Sequence, residues 1–451
     1  MLSAERPLSS LMRMLANVDA VHGLYYLFLH FWIHVFGASE MSVRLPSAIA
    51  VGFCVAGTFV VGRMLVGSRF GVLAAVLCTM LPRTDYMGAE ARSYAISAAA
   101  SVWITALFLL LLRHPFARQR STRLAWLAYA VGLAIGVHLF LYLGLLLVVH
   151  GAYLLAIRGR GMRRAWFTAA GFAVILSLPM VALGYSQRGQ ISFLIHRGYA
   201  TPRSVLVTQW FGTPVLAGAA WIVIVGAVAA AVLEWRRTGR GAPVVILGVL
   251  WVALPTLVLL AVNATTPAYS IRYLSFCVPG VALLLAAGFR AIAFRPARVA
   301  AVVLLLALAI PTDIGQRGPY AKDHGSDLAQ TATIIGQQAR PGDGIVFDRT
   351  TAPRQRPRLA LRLYPDSFRG LEDIALKTPY RDRAELWDTT NPVSDVTAKL
   401  APLERVWVVE RTGSADNIDE TDVRALESAG FTVTSAQLVH RTVIYLLTRH
   451  Q

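Results

Sequence analysis

Residues 82–95, PRTDYMGAEARSYA, set Asp85, Glu90, Arg92 and Tyr94 between two apolar runs. An ionisable side chain held in hydrocarbon costs roughly 2.5–3.5 kcal/mol on insertion scales, so a cluster of them belongs at a membrane surface. Glu90 and Arg92 fall at or just inside the start of a long apolar helix. Two readings follow, a solvated turn with a local ion pair or a catalytic or phosphate-binding rim.

The chain around this stretch is a membrane protein by composition. It has 451 residues, of which 56% are hydrophobic and 15% charged, and its mean hydropathy is +0.54. That is too apolar for an ordinary soluble protein and long enough for a membrane bundle with one small domain. The formal net charge of +18 raises the question of nucleic acid, but the distribution excludes it. Residues 1–312 carry 25 Lys+Arg against six acids (Glu5, Asp19, Glu40, Asp85, Glu90 and Glu234), whereas 313–451 carry 18 against 19. The excess sits in short loops between apolar runs, as the positive-inside rule requires. Arg outnumbers Lys 40 to 3, a bias of high-GC bacterial genomes. Cys54, Cys78 and Cys277 all fall in apolar runs with neither metal-ligand nor disulfide spacing, and they read as small hydrophobes.

Residues 22–36, HGLYYLFLHFWIHVF, are rich in aromatics and too short to span, which reads as an interfacial helix or a short, tilted span. Ten apolar segments follow, at 47–66, 70–82, 91–112, 124–137, 139–157, 165–184, 214–234, 243–263, 272–290 and 297–312. With simple alternation, the loops holding Arg113, Arg118, Arg120 and Arg123, then Arg158, Arg160, Arg163 and Arg164, then Arg236, Arg237 and Arg240, then Arg290, Arg295 and Arg298 share one side. That side is cytoplasmic. The opposite face receives residues 1–45, the loops 83–90, 185–213 and 264–271, the tight turn at His138 and the C-terminal part. An outside N terminus lacks a translocating segment, so either 22–36 spans or a helix precedes Met1. From residue 313 the composition turns soluble. Apolar β-rich runs at 344–348, 405–410, 430–434 and 441–448 alternate with helical patterns at 326–339 and 417–429, the latter opening on Asn417 and Asp419. The expected organisation is an extracytoplasmic segment 1–45, a bundle of about ten transmembrane helices over 46–312 and an extracytoplasmic α/β domain over 313–451.

The outer rim collects the groups that carry chemistry. Glu5, Asp19, Glu40, Asp85 and Glu90 offer carboxylates able to act as a base, and Arg44, Arg92, Arg188 and Arg272 offer planar bidentate donors suited to phosphate. Each Arg also reads as a snorkelling anchor, Arg44 above all. His30 and His34 stand four apart on one helix face, a spacing compatible with a metal but common in interfacial helices. Asp19 and His22 are the better metal or acceptor candidates. His138 faces either the outer cavity or a buried partner.

These residues carry a resemblance. H-G-L-Y-Y-L-F-L-H at 22–30, F-G-A-S-E-M-S-V-R-L-P-S-A at 36–48, E-A-R-S-Y-A at 90–95 and P-A-Y-S-I-R-Y-L at 267–274 resemble the polyprenyl-phosphate-dependent glycosyltransferases of the GT-C fold, the dolichyl-phosphate-mannose mannosyltransferase-like family that includes aminoarabinose transferases of lipid A. The resemblance implies a polytopic membrane enzyme that moves a sugar from a polyprenyl-phospho-sugar donor to an envelope glycolipid, glycan or protein acceptor with inversion. It places Glu90 and Arg92 in the outer loop acting on the donor phosphate or a metal, Asp19 and His22 where the family has polar groups before its aromatic run, and Arg272 facing the lipid phosphate. With the rim residues added, the candidates are Glu90, Asp19 and Asp85 for catalysis, Arg92, Arg272 and Arg188 for the donor phosphate, and His22, His138, Tyr94, Gln187 and Tyr269 around the acceptor or cavity. A divalent metal on Asp19, His22 and Glu90 is compatible with the resemblance. The family also carries an Asp-Glu pair after its first transmembrane helix, with the Asp as base. Here Met1-Leu2-Ser3-Ala4 begins about where the text following that pair would be, so the expectation is a start downstream of that helix and little activity for this form. A transporter or flippase of a lipid-linked sugar, or a non-catalytic assembly subunit, are the alternatives.

Overall fold

The computed structural model describes residues 1–113, 119–157, 160–322, 325–412 and 420–449; Arg118, Arg158, Asn417 and Asp419 lie outside them. The chain begins with α1 (Leu8–Asn17) and α2 (Gly23–Phe36). The apolar half then forms α3 (Glu40–Leu65), α4 (Ser68–Met80), α5 (Pro82–Gly88), α6 (Tyr94–Arg113), α7 (Gln119–Leu139), α8 (Leu145–Ala156), α9 (Arg163–Ser186), α10 (Pro214–Thr238), α11 (Pro243–Asn263), α12 (Val278–Ala291) and α13 (Arg295–Gln316). Helices α14 (Leu328–Gln338), α15 (Leu359–Leu363) and α16 (Thr421–Ser428) accompany strands β1 (Gly344–Phe347), β2 (Glu372–Asp373), β3 (Leu376–Thr378), β4 (Thr389–Thr390), β5 (Arg405–Arg411), β6 (Phe431–Leu438) and β7 (Thr442–Arg449).

Each of the ten apolar segments becomes one helix, but only α3, α6, α7, α9, α10, α11 and α13 are long and apolar enough to cross a membrane. At 1.5 Å per residue, α4, α8 and α12, with 13, 12 and 14 residues, reach only about 20 Å. The reason is local at α12, where the 3-10 turn Ser275–Cys277 takes up the start of the segment read as continuous. Helix ends follow their capping chemistry. Ser39 accepts from the Ser42 amide at 3.2 Å to open α3, and α10 runs from Pro214 at its first turn to Gly239, whose φ of 69° ends it. Small residues set the close approaches: a Cβ on Gly71 of α4 would stand 2.6 Å from the Phe59 carbonyl oxygen of α3. In the bundle interior His150 has both ring nitrogens satisfied, Nδ1 with the Tyr129 hydroxyl at 2.9 Å and Nε2 with Thr105 Oγ1 at 3.1 Å. Trp166 Nε1 donates to the same Tyr129 hydroxyl at 3.4 Å, so four helices share one polar network.

The described chain divides into two compact units, one of Met1 with Asp19–Ile314 and one of Leu2–Val18 with Gly315–Gln451. Residues 1–45 therefore do not form a segment of their own, because α1 carries contacts that the sequence alone did not announce. Arg6, fully buried, donates through Nη1 to the Arg383 carbonyl at 2.8 Å and through Nη2 to the Glu385 carbonyl. Asn17 Nδ2 reaches the Ala384 carbonyl at 3.2 Å. The second unit is built on a sheet ordered β2-β1-β5-β7-β6, with β1 parallel to β2 and β5 and the remaining pairs antiparallel. The four expected β runs are its longer strands. Between the first two of these runs the chain also holds β2 and the β3-β4 pair, strands of two or three residues that carry no alternation to read.

Candidate functional site

Asp19 enters the first unit in a left-handed conformation, φ 62° and ψ 23°, and caps the 3-10 turn Ala20–His22. Two glutamines hold it there. The Asp19 amide donates to Gln190 Oε1 at 2.8 Å and the Ala20 amide to Gln187 Oε1 at 2.9 Å, while Gln190 Nε2 donates to Gln187 Oε1 at 2.9 Å. The Asp19 carboxylate accepts from the Tyr26 hydroxyl at 2.8 Å through Oδ2. Gln187, expected at the cavity, thus shapes the backbone that presents Asp19.

The 82–95 stretch folds as the short helix α5 followed by an irregular turn into α6. Pro82 starts α5 at the position where a missing amide costs nothing. Ser47 of α3 donates to the Glu90 carbonyl at 2.7 Å and fixes the turn. Arg92 is exposed to water although Tyr94, Tyr26, Asp19 and Glu90 surround its charge. These neighbours make Arg92 the centre of one polar cluster, a hollow at the head of α6.

Arg272 completes the hollow from the segment after α11. It hydrogen-bonds the Tyr86 hydroxyl and lies within electrostatic reach of Arg92 and Tyr94. Burial, resisted by Asp19 and aided by Arg92 and Arg272, pushes the half-buried His22 imidazole down to about 4. The hollow therefore sets Asp19 and Glu90 against Arg92 and Arg272, with His22, Tyr26, Tyr86 and Tyr94 between them.

Other expected residues stand differently. Asp85 is half-buried on α5, its carbonyl accepting from the Ala89 amide at 3.1 Å. Arg188 is exposed, donates to the Tyr185 carbonyl at 3.0 Å and stacks 4.2 Å from the Tyr185 ring at the end of α9. His138 lies in the last turn of α7, with Nδ1 donating to the Ala134 carbonyl at 2.9 Å; the tight turn comes later, at 140–144. Tyr94 is buried, its ring edge-on to Phe140 at 5.8 Å. Tyr269 is buried with its hydroxyl on Gln209. Arg44 pairs with Glu40 at 3.4 Å on the surface, as an anchor would. Among the described residues no three His, Cys, Asp or Glu side chains are grouped to hold a metal ion. Tyr26 engages one oxygen of Asp19, Oδ2. His34 Nδ1 is likewise engaged, by the His30 carbonyl at 2.7 Å.

The sequence reading missed Tyr26, Tyr86, Arg83 and Gln190. Arg83 and Tyr86 lie inside the quoted stretch, where only Asp85, Glu90, Arg92 and Tyr94 are singled out.

Neither family models nor curated proteins give a match to this chain. Solved structures do. ArnT from Cupriavidus metallidurans in the apo state is 14% identical with a TM-score of 0.58, covering 98% of this chain and 92% of that chain. The same protein bound to undecaprenyl phosphate is 12% identical with a TM-score of 0.56 and the same coverage. The oligosaccharyltransferase AglB from Archaeoglobus fulgidus, in complex with an inhibitory peptide and a dolichol-phosphate, is 11% identical, with a TM-score of 0.45 over 88% of this chain and 65% of that one. At these identities the ArnT likeness is one of fold, and the fold is the GT-C fold that the motifs implied.

Proposed function

We propose that this chain is a membrane glycosyltransferase that moves a sugar from a polyprenyl-phosphate donor to an envelope glycolipid, glycan or protein acceptor, with inversion, on the extracytoplasmic side. The observation that carries the reading is the grouping of Asp19 and Glu90 around Arg92, with Arg272 within electrostatic reach of Arg92. The shared fold supports it, since the ArnT structure of that fold holds undecaprenyl phosphate.

Inversion needs one displacement. Glu90 takes the proton of an acceptor hydroxyl as its oxygen bonds to the anomeric carbon, and the bond from that carbon to the phosphate oxygen breaks with its electron pair leaving on phosphate. Arg92 and Arg272 meet the growing charge with donors already in place, so little reorganisation is needed during the step. Asp19, restrained by Tyr26 and the two glutamines, orients the acceptor and keeps the Arg92 guanidinium in place.

The test is transfer of radiolabelled sugar from a panel of polyprenyl-phospho-pentoses and polyprenyl-phospho-hexoses in membranes containing the chain. Donor-dependent labelling of lipid, glycan or protein is expected. Transport of a lipid-linked sugar across the bilayer without transfer would replace this reading by a flippase.

A further inference from the structure

Arg83 is 6% exposed, and its chemistry is unusual for a buried cation. Nε donates to the Gln209 carbonyl at 2.7 Å and Nη2 to the Thr208 carbonyl at 2.9 Å, both at the end of the π-turn Ser204–Thr208. The charged group nearest in influence is a like charge, Arg272, so the two carbonyls carry the compensation a carboxylate usually provides. Burying a guanidinium this way is costly unless its fork is needed for geometry.

We propose that Arg83 is a positioning residue for binding of the donor phosphate: it closes a ring of contacts, through Tyr86, Arg272, Tyr269 and Gln209, that fixes Arg272 beside Arg92. The guanidinium of Arg83 stacks 5.0 Å from the Tyr86 ring, and the Tyr86 hydroxyl accepts from Arg272. Three residues before Arg272, the Tyr269 hydroxyl donates to Gln209 Oε1, and the Gln209 carbonyl returns to Arg83. The segment between is pinned as well. Asn263 Oδ1 accepts from the Tyr269 amide at 3.0 Å, and Ser275 Oγ donates to the Arg272 carbonyl at 2.8 Å. Gln209, fully buried, donates its Nε2 to Thr256 Oγ1 at 3.4 Å and cannot swing away freely. A lysine at 83 keeps the charge but loses the planar fork that grips two carbonyls at once.

The inference rests on the site being a polyprenyl-phosphate site, and the experiment separates the two. Dissociation constants for undecaprenyl phosphate and for undecaprenol are measured with the purified chain in detergent, for wild type, Arg83→Lys, Tyr269→Phe and the double variant. Wild type is expected to prefer the phosphate. Each single variant should bind undecaprenyl phosphate about tenfold more weakly with undecaprenol unchanged, and the double variant should be no weaker than the worse single, since both cut one ring. Wild-type phosphate affinity in both single variants overturns the ring while leaving the lipid-phosphate site intact. No phosphate preference in wild type overturns the site itself. Tyr269→Phe removes one hydroxyl, so it decides the matter if Arg83→Lys does not fold.

Discussion

The Tyr26 hydroxyl donates to Asp19 Oδ2 at 2.8 Å, and Asp19 is the single non-glycine residue among those described with a positive φ. A left-handed conformation costs an L-residue roughly 1–2 kcal/mol, so the local structure holds this carboxylate against its own preference. Tyr26→Phe should lower transfer about tenfold by releasing Asp19, at the cost of a single hydrogen bond. Asp19→Gly should abolish transfer while leaving the melting temperature equal or slightly higher, because glycine relieves the strain. A marked drop in melting temperature with activity retained would make Asp19 structural.

Glu90→Gln and Arg92→Ala should each reduce transfer at least about a hundredfold, a size typical of losing an acid-base group or a preorganised charge. Both chains should still insert and elute as wild type, since Glu90 is half-buried and Arg92 exposed. Wild-type turnover in both would reduce residues 82–95 to a solvated ion pair.

Orientation is open to chemical labelling. Cys54, Cys78 and Cys277 are all buried, which leaves a low background for an impermeant thiol reagent. With the site and the C-terminal unit outside, Ser326→Cys should react in intact cells and Ser121→Cys only after permeabilisation. The reverse pattern would place the hollow in the cytoplasm.

Acid should reveal the ion network in the C-terminal unit. Burial works to raise the Asp388 carboxyl, but Arg362, the Tyr380 amide and Arg358 overcome it and hold it below the usual range. Arg362 grips it from 3.0 Å and Arg358 from 3.1 Å. A lowered carboxyl stabilises the fold fully above the ordinary carboxylate range and ceases to do so as pH falls through its folded value. Asp373 runs the other way, since burial raises it despite Arg358, and its effect is lost as pH rises. Asp388→Asn should therefore destabilise the unit by about 3 kcal/mol at neutral pH and by clearly less near pH 3. Exchange protection of the Val346 and Val408 amides in the full chain reads both, and an equal loss at the two pH values would dismiss the pairing.

Sequence by itself determined the membrane class, the ten helical segments and the four longer strands of the sheet. Apolar periodicity and capping residues are local, and water or lipid enforces them wherever the chain goes. It also drew attention to Asp19, Glu90, Arg92 and Arg272, because charge beside hydrocarbon is costly and so conspicuous. What it lacked was partnership. Only the tertiary structure decided that Asp19 and Arg272, 253 positions apart, share one hollow, that Arg188 clasps its own helix, and that α1 belongs with the sheet. Such outcomes depend on which distant carbonyl, ring or carboxylate a flexible side chain meets. Arg83 shows the limit best: nothing in its sequence neighbourhood singles it out, and only the structure shows it held by the carbonyls of Thr208 and Gln209.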